Sequence, residues 1–227
     1  MSADTACLVL CLEGPLQSWG TTSQFNRRLT DLFPSRSAVT GLLCAALGCN
    51  RGSKDERDFL ERCREIHMLA VAIPKLKHDK EVPIRRLEDY HTVMNTPKAA
   101  GGIKDCHITY RHYLLDAAFR VFLTGERQLL QQQAKALQDP VWGIWLGRKC
   151  CIPSTPVFGG LFDSRALAIA EVLHNQPLQN YACVEDANTF SEGEDSLLDM
   201  PCSFASESRQ FALRRIVRHH GRSADAS

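Results

Sequence analysis

The sequence predicts an α+β fold: a ferredoxin-like body, one long insertion and a small β-rich C-terminal extension. Three observations lead there. Apolar runs and amphipathic segments alternate in the order strand, helix, strand, strand, helix, strand. A stretch of about 35 residues between the second and third strands keeps no period, which is too long for an ordinary loop. The last sixty or so residues return to short alternating patterns.

The elements follow in order. "ACLVLCL" (6–12) is a continuous apolar run, suited to a central strand. "EGPLQSWGTTSQF" (13–25) is a glycine-flanked loop that presents Gln17, Ser18 and Trp19. Ser35 or Ser37 can cap a helix whose apolar face is "AVTGLLCAAL", ending at Gly48. "SKDERDFLERCREI" is a charged helix capped by Ser53, and "HMLAVAIPKL" (67–76) is a strand. Residues 77–111 are read as irregular. "YLLDAAFRVFLTG" (113–125) reads as a strand and 126–138 as a helix. "VWGIWLGRK" and "TPVFGGLF" read as strand-and-glycine segments, and "ALAIAEVL" as a further strand. Residues 185–199 hold six acids and no base, the mark of an exposed loop. "RQFALRRIVRHH" alternates basic and apolar residues, as an edge strand does. The division is a body (1–76 and 112–165), an insertion (77–111) and an extension (166–227).

A net charge of +1 predicts no polyanion partner from bulk charge, so any nucleic-acid surface must come from local segregation. The ten cysteines form no C-x-x-C pair and suit buried free thiols of a reducing compartment. No metal and no cofactor are expected. There is neither a signal-like leader nor a run of about 18 apolar residues, so a soluble cytoplasmic protein away from membranes is expected.

Three places could carry chemistry. Between Lys75 and Arg120, nine bases face six acids, with Tyr90, His91, His107, Tyr110, His112 and Tyr113 interleaved. Bases for phosphates and rings for unpaired bases suit single-stranded RNA; a solvated surface loop reads equally well. Ser35-Arg36-Ser37 at a helix start offers a phosphate site or a plain cap. Trp145-Leu146-Gly147-Arg148-Lys149 combines stacking, close approach and a charge clamp, or is a core tryptophan before a basic turn. If Arg148 clamps phosphate, Arg148→Ala should weaken RNA retention and leave the fold intact. No G-x-S-x-G, H-E-x-x-H or Walker A motif occurs. Tyr90 and His91 with Lys104 could cleave RNA without metal.

"LEGPLQSWG", "FPSRSAVTGLLCAALG", "LEDYHTV", "TYRHYLLDAAF" and "LGRKCCIPSTPVF" resemble, in order and spacing, the CasD-like subunits of type I-E CRISPR surveillance complexes (Cascade). The likeness runs from about residue 6 to 160, with a looser echo in "RQFALRRIVR". It implies an RRM-like palm, a basic thumb made by the insertion, and a non-catalytic subunit that caps the 5′ handle of crRNA. It implies contacts with a repeating backbone subunit and a large PAM-reading subunit, and target DNA reached through the complex. Carried over by motif, Gln17, Ser18 and Trp19 lie beside the handle, and Ser35, Arg36 and Ser37 face RNA. Arg111 and Trp145 through Lys149 line a handle pocket, with Tyr90 and His91 in the thumb. Lys104 falls in a stretch (94–107) without one-to-one correspondence. The alternative is a metal-independent endoribonuclease that processes crRNA precursors, as the related subunit of subtype I-C does.

Overall fold

β1 (Thr5–Glu13) is apolar at consecutive positions because both of its faces are covered. Leu8, Leu10 and Leu12 point into one core, Cys7 and Val9 into another. The computed structural model describes residues 4–20, 26–78, 80–98 and 101–221. Residues 21–25 of the glycine-flanked loop and Asp79 of the insertion lie outside the described residues.

Two short strands, β2 (Leu16–Gln17) and β3 (Arg27–Arg28), precede α1 (Arg36–Leu47) and α2 (Lys54–Cys63). Ser35 caps α1, its hydroxyl accepting from the Ala38 amide. Gly48 ends α1 at φ +73, where a side chain would be strained and would meet Val141. Ser53 caps α2. β4 (His67–Ala72) is followed by a small hairpin, β5 (Lys75–Lys77) and β6 (Lys80–Val82). Then come β7 (Arg85–Pro97), β8 (Ile103–Leu115), β9 (Ala118–Glu126), α3 (Arg127–Gln138), β10 (Phe158–Phe162) and α4 (Arg165–Val172). β11 (Cys183–Asp186), β12 (Asp195–Ser203) and β13 (Gln210–His219) complete the described chain.

Seven strands form one antiparallel sheet in the order β10-β1-β9-β4-β11-β13-β12. α1, α2 and α3 bury one face over Leu8, Leu10, Met68, Phe119 and Val121; α4 covers part of the other over Val9, Leu69, Val71 and Phe122. Each fully buried side chain of this size contributes ~1.5–3 kcal/mol.

The structure corrects several sequence expectations. The insertion is regular: β7 and β8 pair from Arg85↔Leu115 to Pro97↔Ile103 and turn through Gly101 and Gly102 at φ +86 and +82. Both faces of its outer part are largely exposed, so no apolar alternation marks it in the sequence. The strand expected at 113–125 is two strands, broken where Asp116 adopts φ +52. "ALAIAEVL" is helical; Ser164 caps it by accepting from the Leu167 amide, and alanine favours helix. "VWGIWLGRK" forms no strand. "RQFALRRIVRHH" is a strand but not an edge, since β11 and β12 flank it.

The acids of 185–199 are not simply an exposed loop. Asp186 and Asp199 enter a buried network with Arg36 and Arg214. Asp199 accepts from Arg214 Nε (2.8 Å) and from the Arg36 amide (2.8 Å). Asp186 accepts from Arg214 Nη1 (2.6 Å), Arg36 Nη1 (3.1 Å) and the Met68 amide (2.7 Å). Glu185 pairs with Arg165 and Asp195 with Arg218. Burial pulls the Arg36 guanidinium below its ordinary value, and Asp186 opposes that pull.

All ten cysteines are free thiols, mostly in the cores. Burial pushes Cys63 and Cys151 up to about 12 and Cys183 up to about 11, from an ordinary value of 9.0. A raised thiol stabilises the fold fully below the unfolded value near 9. That contribution is lost as pH rises from 9 through the folded values, because the unfolded chain sheds protons first. Native protein at pH 8 should therefore label first at exposed Cys106 and Cys150, and its melting temperature should fall above pH 9. Mass spectrometry of the labelled protein and melts across pH check both; early labelling of Cys63 or Cys183 would refute the burial argument.

Candidate nucleic-acid interface

The glycine-flanked loop is built inward. Gln17 is fully buried: its amide donates to the carbonyls of Leu12 (3.1 Å) and Ala117 (2.6 Å), and its oxygen accepts from Trp19 Nε1 (3.0 Å). Trp19 is 1% exposed, and its backbone amide donates to the Thr30 hydroxyl. These two side chains therefore hold the loop to the core instead of facing a ligand. Ser18 is buried as well, and its amide donates to the Leu146 carbonyl (3.0 Å).

The helix start is also closed. Arg36 is 2% exposed, and its side chain binds Asp186 and the carbonyls of Cys63 and Ile66. Asp199 takes the Arg36 amide, so an internal carboxylate fills the place where a phosphate would sit. Buried Ser35 is committed to its cap, leaving half-buried Ser37 at the surface.

In the third segment, Leu146 is fully buried and corrected to a core residue. Gly147, at φ +100, lies so close to Ser18 that an added Cβ would stand 1.9 Å from the Ser18 carbonyl oxygen. Arg148 donates to the carbonyls of His112 (2.8 Å) and Arg28 (2.7 Å) and stacks over Tyr113 at 4.6 Å. It is a strut between three segments, so Arg148→Ala would disturb local structure along with any ligand contact. Trp145 remains 38% exposed, and Lys149 is exposed.

What these residues frame is a groove of about 480 Å³ between α1, the loop after α3 and the C-terminal extension. Ser18, Ser35, Ser37, Trp145, Gly147 and Arg148 line it. So do Arg28, Arg51, Trp142, Phe204, Arg209 and Phe211, which the sequence reading did not select. Trp142 stands three residues before Trp145 and Arg209 two before Phe211, the signal that was available. Trp142 is 43% exposed and is anchored by its amide to the Ala45 carbonyl at the end of α1. The Trp145 indole lies against Gly143, where a Cβ would come within 2.8 Å of the ring. Both rings are thus held before any ligand arrives. Four arginines line the groove against one acid, Glu56, whose Oε2 is held by the amides of Gly52 and Phe204. Arginine beside exposed indole suits phosphates and unpaired bases.

Tyr90, His91 and Lys104 are not brought together. Tyr90 and His91 are successive on β7 and face opposite sides. Lys104 pairs with Thr96, six residues beyond Tyr90, a distance of roughly 20 Å along a strand. Arg111 lies on β8 beside β3, its Nε donating to Thr109. Among the described residues, no group of three His, Cys, Asp or Glu side chains could hold a metal, and no helix is long and apolar enough to cross a membrane.

Comparison with known proteins agrees with the geometry. The chain is 31% identical over 210 residues to the CRISPR system Cascade subunit CasD of Escherichia coli (strain K12), covering 88% of this chain and 92% of that one. It superposes on a chain of a CRISPR RNA-guided surveillance complex with a TM-score of 0.72 and 29% identity, over 95% of this chain and 90% of the other. A crystal structure of a Cas protein matches with a TM-score of 0.62 and 29% identity, over 94% and 93% of the two chains. The family model for CRISPR-associated protein (Cas_Cas5) spans residues 7–217, and the chain belongs to that family.

Proposed function

We propose that the chain is a non-catalytic structural subunit of a type I-E, Cascade-like surveillance complex, and that its groove holds the 5′ handle of crRNA. The body is a ferredoxin-like palm and the β7–β8 hairpin its thumb. The order β10-β1-β9-β4 supports the palm reading, because it interleaves two βαβ units, β1–α1–β4 and β9–α3–β10. The observation that carries the RNA reading is the groove's pairing of two fixed, part-exposed tryptophans with four arginines. Ser37, Trp145, Arg148 and Lys149 remain in the proposed interface from the sequence reading, together with Arg111 near the base of the thumb. Tyr90, with Met94 and Ile108, forms an exposed apolar face that suits a neighbouring backbone subunit; His91 and Lys104 lie on the same hairpin. The large PAM-reading subunit and target DNA are met in the assembled complex, in the cytoplasm.

Handle RNA should quench the intrinsic fluorescence of the purified chain. Trp142→Ala with Trp145→Ala should weaken binding at least tenfold, given ~1–3 kcal/mol for each stacked base. Incubation with repeat RNA and chelator should leave the RNA whole. A single cut at the handle boundary, lost in His91→Ala, would overturn the non-catalytic reading.

A further inference from the structure

The β5–β6 hairpin lies outside the groove and holds a feature that the groove does not explain. Its register sets Lys77 directly opposite Lys80. Like charges at such a pair are destabilising, and a two-stranded sheet on its own is marginal. The turn between them holds His78 at φ +51, a conformation uncommon for residues other than glycine. Neither Lys77 nor Lys80 has an ion-pair partner among the described residues, and the pair of Lys75 with Asp116 is loose at 3.9 Å. Strand alternation puts Lys75 and Lys77 on one face of β5, and cross-strand pairing adds Lys80 to it. Leu76 and Glu81 share the other face.

All three lysines are exposed. Two rises of about 3.3 Å separate Lys75 from Lys77 by about 6.6 Å, close to two axial steps of about 3.4 Å on one DNA strand. Exposed aromatic side chains are missing from both strands, so the face has no ring on which an unpaired base could stack. It differs in this from the groove. A basic face without rings contacts backbone and not bases.

We infer that the β5–β6 hairpin is a second nucleic-acid site, one that grips the phosphate backbone of a DNA duplex without reading its sequence. The mutual repulsion of Lys77 and Lys80 is relieved when phosphates lie over them, so the hairpin is completed by its ligand. The groove takes single-stranded RNA under the reading above; the hairpin takes duplex, and the two can fail separately.

The test uses the full chain, a short labelled DNA duplex of mixed sequence and a short single-stranded RNA, each titrated by anisotropy over a salt series. Replacing Lys75, Lys77 and Lys80 by alanine should weaken duplex binding at least about tenfold and flatten its log–log salt slope by about 2–3, leaving RNA binding unchanged. Lys77→Glu separates charge from folding. It puts opposite charges at the cross-strand pair, so thermal stability should hold or rise while duplex binding falls several-fold. Unchanged duplex affinity and slope in either variant would overturn the site, as would a wild-type chain that ignores duplex at low salt. Loss of RNA binding in place of duplex binding would reassign the lysines to the single-strand path and also overturn it. A chain that binds duplex but not RNA would leave this site standing and sink the groove reading.

Discussion

Asp199→Ala should lower the stability of the whole chain by about 3–5 kcal/mol, the cost of leaving buried charge without its partner. Asp199 is buried and takes three donors: the Arg36 amide, Arg214 Nε and Arg214 Nη2. Removing the carboxylate strands Arg214 beside Asp186 and uncovers the first turn of α1. For a chain of this size the melting temperature should drop by roughly 10 °C. Asp199→Asn keeps the shape and should cost less. Arg214→Ala added to Asp199→Ala should cost much less than the sum of the single changes, because the two groups act as a unit. Melts followed by circular dichroism decide the matter; a drop of only a degree or two for Asp199→Ala would refute the network's role. Handle binding should also weaken in this variant, because β12 leads to Phe204 and pairs with the strand that carries Phe211.

The second large effect falls on binding alone. Arg51 and Arg209 are exposed and line the groove from α2's approach and from the extension. No internal bond holds either side chain, unlike Arg148. Replacing both by alanine should leave the melt unchanged and weaken handle RNA about a hundredfold, at about 1.5 kcal/mol for each charged hydrogen bond. The salt slope for single-stranded RNA should flatten by about 1.4, from ~0.7 for each phosphate contact. Equal RNA affinity in the double variant would remove the groove from the handle path.

The sequence was legible where burial on a face writes a period. β1, α1, α2, α3 and β13 each sit against a core, and the spacing of their apolar residues marked them. Two of the caps, Ser53 and Gly48, could be read because serine and glycine there do local work. The β7–β8 hairpin was illegible because nothing covers most of its length, so neither period 2 nor period 3.6 is imposed. α4 was mistaken for a strand because its short apolar run fits either element.

The site was harder. Motif likeness picked segments correctly as neighbours: residues 17–19, 35–37 and 145–149 do meet. It could not say which side chains turn inward. Gln17, Trp19, Arg36 and Leu146 hold the walls, while Trp142, Arg51 and Arg209 stand at the surface. That division depends on the partners of Arg36, which lie about 150 and 163 positions away in the chain.

That separation governs how the protein is made. Synthesis runs from the N-terminus, and elements with near partners can form as they emerge. α1 emerges early, yet its first amide and the Arg36 guanidinium have no carboxylate until residues 186 and 199 have left the ribosome. β4 likewise waits for β11 to cover its outer edge. Most of the chain therefore precedes the residues that close its own groove wall, and the last quarter acts as a latch on the first. A chain released before residue 199 would carry a buried-type arginine with no counter-charge and half a groove. Quality control by cellular proteases would meet that species as open, and a finished subunit as shut.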